Sequence, residues 1–361
     1  MGLDMIKGLD VLLENYDQPC LGELRGLLRD LLGGREAEGC LIEEQTLQPR
    51  ASRVFRLHFV INGQTRQLIV KRLRPEIGRR SELIEKRWLP AVGMSDNGPS
   101  LLGSVVEPGG NCVWHVYDDL GPFELDVHRF DHESVGAATK LIARLHMQFA
   151  RHPLLGEVRL HGCDLGIHFY DANVRDATYA LEACQASPQQ TPVLNHLLEW
   201  LSKMRKELPQ RAKALKAWGG PETLLHGDLW SINVFVIPTA HGPRVRLIDW
   251  DHASVGPASY DLSTFLLRLP SQERSWVLEV YREEMSRAGW GLPPMPMLNF
   301  LFETAEYARL ANRIIWPAIA LAQDRAPWAW ESLAEVDQWF DNFENLAPVL
   351  ACETEMLDAK S

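Results

Sequence analysis

The chain has 361 residues, of which 46% are hydrophobic and 24% charged, with a formal net charge of −11 at pH 7. This length and composition indicate a folded protein of two lobes or domains and exclude disorder over most of the chain. The negative charge argues against a general nucleic-acid binder, because Lys and Arg neutralise phosphates, and it leaves room for a neutral or cationic small substrate.

The six cysteines are widely spread and form no C-x-x-C pair, which argues against a zinc site or a disulfide framework. The first ten residues show no signal peptide, and Ile6 replaces the Ser or Thr of a myristoylation motif. No apolar run reaches the length of about 18 residues that spans a membrane. We therefore expect a cytoplasmic protein with no membrane partner.

The first predicted elements are helical. Two helix-like segments lie within 9–33, and leucines recur along one face of the second segment, which ends at Gly33 and Gly34. We interpret residues 1–38 as an N-terminal helical extension.

The pattern then becomes that of a small sheet. Runs rich in Val, Ile and Phe predict strands over 40–47, 54–61, 66–73, 101–107 and 112–117. The pair Asn62-Gly63 is a strong hairpin signal, and a helix is predicted at about 79–89. Residues 39–117 should therefore form an antiparallel β lobe with one helix.

Beyond a hinge near 117–122 the pattern is mainly helical. Helical patterns occur over 134–150 and near 191–217, 271–288, 294–322 and 329–346. One β-like island, 223–252, contains the runs VFVI and VRLIDW, which predict a short hairpin. We assign 118–361 to a larger helical lobe, and a cleft between two lobes is a common ligand site.

Four polar side chains interrupt strands or strand ends. Lys71 lies inside LIVKRL, Asp228 and Asn233 lie between TLL and VFVI, and Asp249 ends the run VRLID. Charges inside apolar strands are costly unless they are paired. Metal ions, phosphates or one another are therefore the expected partners.

The order of these residues resembles that of protein-kinase-like enzymes. His226-Gly227-Asp228 with Asn233 five positions after the Asp resembles the catalytic loop H-x-D-x-x-x-x-N. The segment LIDWD at 247–251 resembles the one that carries the magnesium-binding Asp. The HGD form, and IDW in place of D-F-G, resemble the aminoglycoside phosphotransferase family, which includes choline kinases and other small-molecule kinases.

The resemblance covers about 39–350, and LIARLH at 141–146 and YDLSTFL at 260–266 resemble further family landmarks. It implies an α+β, protein-kinase-like bilobal fold. A small antiparallel β N-lobe would bind the nucleotide, and a larger, mainly helical C-lobe would carry the catalytic loop and the substrate site.

The resemblance also implies a role for each of the four polar side chains. Asp228 would be the catalytic residue that accepts the proton of the substrate hydroxyl. Asn233 and Asp249 would hold Mg²⁺ on the nucleotide phosphates, and Lys71 would pair with the α/β-phosphates.

Further nucleotide contacts are implied for side chains and backbone of the N-lobe. The helix partner of the strand Lys would be Glu82, with Glu85 as the alternative. The loop expected over the phosphates contains no glycine, and Ser52 is its candidate contact. Backbone groups of the hinge would meet the adenine, namely those near Val116, Tyr117 and Asp119.

Neighbouring residues have other expected roles. His226 would support the catalytic loop, and Asp261 would brace it through backbone hydrogen bonds. Asp251 could touch a second metal ion or face away from the site. Trp230 stands where protein kinases usually have Lys, so less positive charge would face the γ-phosphate.

The acceptor is not named by the sequence. Residues 290–361 carry eleven acids and four bases, so an acidic helical cap could bind an amine-bearing acceptor, with a solvated helix face as the alternative. Four tryptophans of this segment could box a cation, stack on a sugar or pack in the core: Trp316, Trp328, Trp330 and Trp339.

These patterns together predict an ATP-dependent phosphotransferase that uses Mg²⁺ and acts on a hydroxyl of an aminoglycoside-, choline- or sugar-like small molecule. A catalytically inactive, nucleotide-binding regulatory module on the same fold is the main alternative. A metal-dependent phosphoesterase and a protein kinase are weaker ones, because the first would not need Lys71 and the second lacks its glycine loop.

Overall fold

The computed structural model describes residues 6–34, 37–47 and 53–347. It divides into two compact units. The first comprises the chain up to Glu124 together with Asn233–Asp251, and the second comprises Leu125–Ile232 together with the chain from His252 onward. The hairpin after the HGD motif therefore belongs to the first unit, although the motif itself belongs to the second.

The first unit is built on a six-stranded sheet of order β1-β2-β3-β4-β6-β5, in which β1 and β2 are parallel and the other neighbours antiparallel. Side chains of β3 alternate between buried and half-buried, as the period of two predicts. Asn62 and Gly63 join β3 to β4 with positive φ angles of 51° and 78°, which confirms the hairpin. The strands of this sheet are β1 (Ile6–Lys7), β2 (Gly39–Thr46), β3 (Val54–Ile61), β4 (Gln64–Leu73), β5 (Leu101–Val106) and β6 (Val113–Asp118).

The N-terminal segment packs on this sheet. Helix α1 (Leu21–Leu31) buries Leu24 and Leu28 in the same core as Phe55 and Trp114. The indole Nε1 of Trp114 donates a hydrogen bond to the carbonyl oxygen of Pro19, 3.0 Å away. The N-terminal segment and the sheet therefore share one hydrophobic core.

One helical rod follows β4 and is longer than the predicted helix. It begins as α2 (Pro75–Leu83), passes through a π-helical turn (Ile84–Trp88) and ends as α3 (Leu89–Ala91). A π turn inside an α-helix is uncommon and often marks a functional region. The unit is completed by the antiparallel hairpin of β8 (Val234–Ile237) and β9 (Arg244–Leu247), as the sequence predicts.

The second unit is mainly helical, with one antiparallel pair of strands, β7 (Glu222–Leu225) and β10 (Ser254–Pro257). The long helix α10 packs against α6, α7, α8 and α11. The predicted helices are present. Helix α8 differs from them because eight of its residues, apolar and polar alike, are buried, so its sequence shows no alternation between a buried and an exposed face. The helices are α4 (His132–Phe149), α5 (Leu155–His161), α6 (Ile167–Glu182), α7 (Thr191–Trp218), α8 (Ser259–Leu267), α9 (Arg274–Arg287), α10 (Met295–Asp324) and α11 (Trp328–Asp341).

Within the described ranges, none of the helices is both long and apolar enough to cross a bilayer.

Candidate active site

The turn after β7 requires a glycine between His226 and Asp228. Gly227 has a φ of +84°, a conformation that residues with a side chain rarely adopt. A Cβ atom at this position would collide with the carbonyl oxygen of His252. Local backbone geometry therefore explains the central residue of the HGD motif.

Asp261, at the start of α8, holds this turn from beneath. Its carboxylate accepts hydrogen bonds from the backbone N–H groups of His226 (2.7 Å) and Gly227 (2.9 Å). Burial alone would raise the pKa of Asp261, but its contact with His146 and these hydrogen bonds hold the pKa below the usual value. The expected bracing role of Asp261 is confirmed.

His146 extends the same network into α4 and α9. Its Nε2 lies 3.4 Å from Asp261, and its Nδ1 is hydrogen-bonded to the hydroxyl of Tyr281 at 2.8 Å. All three side chains are buried. This network ties the segment LIARLH, which the sequence singles out, to the backbone of the HGD turn.

Lys71 joins two carboxylates of the first unit. Its ammonium lies 2.5 Å from Asp249 and 2.8 Å from Asp251, and its side chain is 14% exposed. Burial by itself would lower the pKa of Lys71, but the two carboxylates raise it above the usual value, so the ammonium stays charged. The buried charge of Lys71 is therefore paired with carboxylates, which offsets the cost of burying it.

Asp249 has a positive φ of 62°, which is uncommon for a residue with a side chain. Strained backbone of this kind often occurs at functional sites. The turn Trp250–His252 follows at once and brings Asp251 to the same ammonium. The sequence leaves open whether the Asp251 side chain faces the site or points away, and the structure shows it against Lys71. The sequence feature that indicates this contact is the second acid two positions after Asp249.

Asn233 lies at the same end of the β8–β9 hairpin as Asp249. Val234 pairs with Leu247 in the register, and the N–H of Ile248 donates to the Asn233 carbonyl oxygen at 3.0 Å. The pairing therefore brings Asn233 next to the residue that precedes Asp249. Carboxylate and amide oxygens suit Mg²⁺, which takes few protein ligands and completes its shell with phosphates and water.

In the part of the chain that the structure describes, no group of three or more His, Cys, Asp or Glu side chains could hold a metal ion. The donor set of Asn233, Asp249 and Asp251 matches a magnesium ion carried in with nucleotide phosphates better than a resident metal centre.

Glu82 and Glu85 lie on the rod that follows β4. Glu82 accepts a hydrogen bond from Ser104 Oγ at 2.5 Å and lies 3.7 Å from His115 Nε2. Among the described residues, the ion pairs of Lys71 are those with the two aspartates, so the pairing of Lys71 with Glu82 stays a prediction.

Glu85 is the carboxyl group of the π turn. It accepts a weak hydrogen bond of 3.4 Å from the N–H of Leu101, and its Oε2 is buried without a partner among the described residues. Burial raises the pKa of Glu85 to about 7.

The residues expected near the adenine lie at the end of β6. Val116 and Tyr117 are paired with β4 on one side and β5 on the other, and Val116 is fully buried. The Asp119 carboxylate contacts Arg56 at 2.5 Å and accepts from the N–H of Gly121. Ser52, the candidate phosphate contact, lies outside the described residues.

The four tryptophans of the C-terminal segment divide into two groups. Trp330 and Trp339 pack against the helical core, whereas Trp316 and Trp328 are 66% and 47% exposed. Core packing therefore accounts for two of them.

The model of the APH phosphotransferase enzyme family matches residues 47–298, which is more than half of the chain. No curated protein matches the sequence significantly.

Several solved structures share the fold. An aminoglycoside phosphotransferase from Streptomyces rimosus, determined with ADP and streptomycin, is 16% identical, with a TM-score of 0.51 over 81% of this chain and 99% of that one. A Plasmodium vivax ethanolamine kinase is 13% identical, with a TM-score of 0.55 over 93% of each chain. A macrolide 2′-phosphotransferase from Brachybacterium faecium is 16% identical, with a TM-score of 0.54 over 91% of this chain and 97% of that one. The expected α+β, protein-kinase-like fold is confirmed.

Proposed function

This chain belongs to the APH phosphotransferase enzyme family, and we propose that it transfers the γ-phosphate of ATP to a hydroxyl group of a small molecule. The observation that best supports this proposal is the β8–β9 hairpin, which holds Asn233 beside the turn of Asp249. Asp249 in turn shares the ammonium of Lys71. The proposal therefore rests on the contact of the strand Lys with Asp249 and on the backbone pairing that brings Asn233 beside the residue before Asp249.

The proposal gives each residue a separate task. Asp228 orients the acceptor hydroxyl and takes its proton as the oxygen attacks the γ-phosphorus. The bond to the bridging oxygen of ADP then breaks in line with the attack. Lys71 positions the nucleotide phosphates, and positioning with electrostatic stabilisation supplies most of the rate.

Asn233 and Asp249 are the residues that would hold Mg²⁺, with Asp251 as a third oxygen donor. The ion, when bound, would neutralise charge on the nucleotide phosphates. The ammonium of Lys71 already shows that these carboxylates accept a cation. The adenine contacts at Val116–Asp119 and the partnership of Glu82 with Lys71 are further parts of the proposal.

A reducing, cytoplasmic location is also proposed. The five described cysteines, at positions 20, 40, 112, 163 and 184, are free thiols. Free thiols of this kind persist in the cytosol, whereas secreted domains tend to pair them.

A binding and turnover experiment tests the function. Mg·ATP should raise the melting temperature, and a panel of aminoglycosides, macrolides, amino alcohols, sugars and hydroxy acids should contain a class that is phosphorylated, as seen by mass spectrometry. Nucleotide binding without transfer to any class would favour the regulatory module instead. Failure to bind Mg·ATP would contradict both.

A further inference from the structure

Arg268 lies beside the loop that contains Asp228. It caps the C-terminus of α8, and its guanidinium carbon is 3.3 Å from the ring centroid of Trp230. Trp230 follows Asp228 by two positions, and its backbone N–H donates to the Asp228 carbonyl oxygen at 2.9 Å. The ring of Trp339 lies 5.9 Å from the same guanidinium. Two aromatic rings thus orient a planar cation next to the proposed catalytic residue.

Among the described residues, no acidic side chain is bonded to this guanidinium. Over the described ranges, its side chain makes no hydrogen bond or ion pair, and its Nε is buried without a partner. Arg309, on the neighbouring helix α10, shows the contrast, since it is hydrogen-bonded to Glu306, to Ser263 and to the carbonyl oxygen of Tyr260. A partly desolvated, unpaired cation is costly, and stacking on Trp230 offsets only part of that cost.

The charges around Arg268 add up to a positive site. The ionised groups that act on it are Glu306, Arg313, Asp228 and Arg309, and burial, the largest influence, lowers its pKa. Glu306 is already paired with Arg309. Counting Arg268 itself, three arginines and two carboxylates of the described residues make up this set, although residues 290–361 as a whole are acidic. An amine-bearing acceptor would be repelled here, whereas an anionic one would be attracted.

We propose that Arg268 binds an anionic oxygen group, a carboxylate or a phosphate, on the acceptor, so that the preferred acceptor is an anionic alcohol. This inference rests on the proposed phosphotransferase function and names its substrate class. The guanidinium offers a planar fork of N–H donors, which matches both anions. The guanidinium stacks on the ring of Trp230, which stands at the position of the Lys of protein kinases.

Anion binding can be tested before the acceptor is known. Inorganic phosphate and ¹³C-acetate are titrated separately, with binding followed by ³¹P and ¹³C line broadening. Arg268→Gln should weaken binding of at least one anion about 10- to 100-fold, the effect of losing a charge-assisted hydrogen bond. The variant Arg205→Gln, on the exposed face of α7, should match the unmodified protein. Which anion responds distinguishes phosphate from carboxylate.

Transfer is then measured with matched alcohols: glucose, glucosamine, gluconate and glucose 6-phosphate. The anionic members should have the higher kcat/KM, and Arg268→Gln should remove that preference mainly through KM. Arg268→Lys retains the charge but not the planar fork of donors. Its preference for the anionic alcohols should lie between that of the unmodified protein and that of Arg268→Gln. Melting temperatures should not fall in Arg268→Gln, because an unpaired cation is removed, whereas a structural role predicts a lower value.

The outcomes separate this inference from the proposed function. Anion binding that is the same in Arg268→Gln, or transfer that favours glucosamine or glucose and ignores the substitution, would overturn the anionic acceptor. In the second case the phosphotransferase function would stand. Anion binding that depends on Arg268, with no nucleotide-dependent transfer to any alcohol, would support the anion site and contradict the proposed function.

Discussion

The ammonium of Lys71 lies 2.5 Å from a carboxylate oxygen of Asp249, although the two residues are 178 positions apart in the chain. Asp251 lies 2.8 Å from the same nitrogen. Burial raises the pKa of Asp251 and its neighbour Asp249 raises it further, while Lys71 opposes both. One cation is thus shared by two carboxylates of the same unit.

Lys71→Met should weaken Mg·ATP binding at least about tenfold, because charge-assisted contacts contribute about 1.5–3 kcal/mol. It should also lower the melting temperature without nucleotide, since Asp249 and Asp251 lose their shared cation. Calorimetric titration and thermal unfolding measure the two effects. Lys140→Met, an exposed position on α4, is the matched control. Unchanged affinity in Lys71→Met would count against a phosphate-binding role.

Asp228→Asn should lower kcat by about 10²- to 10⁴-fold, the usual contribution of a general base. Folding and Mg·ATP affinity should be little changed, because the amide is nearly isosteric with the carboxyl group. Single-turnover transfer and thermal unfolding measure these quantities, with the exposed Asp171→Asn on α6 as control. A variant that retains full kcat would rule out Asp228 as the base.

Gly227→Ala should reduce both kcat and stability, because a Cβ atom would strain the turn at a φ of +84° and collide with the carbonyl oxygen of His252. Gly156→Ala is the control. It adds a Cβ in open space on helix α5, where Ala is favoured over Gly by about 1 kcal/mol. Activity assays and denaturant unfolding should separate the two substitutions, and equal behaviour would disprove the strained turn.

Glu85→Gln should change how stability depends on pH. Because the pKa of Glu85 is about 7 in the folded protein against 4.5 for the free side chain, the folded state binds the proton more tightly. The unfolding free energy should then fall as pH rises from about 4.5 to above 7. Relative to the unmodified protein, Glu85→Gln should therefore gain about 1–2 kcal/mol between pH 5 and pH 8, because solvent screening of a half-buried carboxyl group reduces the full effect of the shift.

Denaturant unfolding at pH 5 and at pH 8 measures the free energy of unfolding of both proteins. Comparing the two pH values removes any effect of the amide that does not depend on pH. The exposed Glu199→Gln on α7 should show no such gain. Parallel pH profiles for Glu85→Gln and the unmodified protein would mean that Glu85 titrates normally.

Much of the fold is predictable from local patterns. The period of two over 54–61 and the Asn62-Gly63 turn predict β3, β4 and their hairpin, because both signals depend on neighbouring residues. Helix α8 is different, since burial on all sides removes the polar face that would reveal it. The π turn within the rod after β4 is also absent from any local pattern.

By itself the sequence determined the fold family and the candidates Lys71, Asp228, Asn233 and Asp249, because their order and spacing are written in the chain. Only the tertiary structure decided which charges meet. It turned Asp251 toward Lys71, placed Glu82 against Ser104, and stacked Arg268 on Trp230. Contacts between residues far apart in the chain depend on strand register, helix packing and burial, and these are set by the whole fold rather than by neighbouring residues.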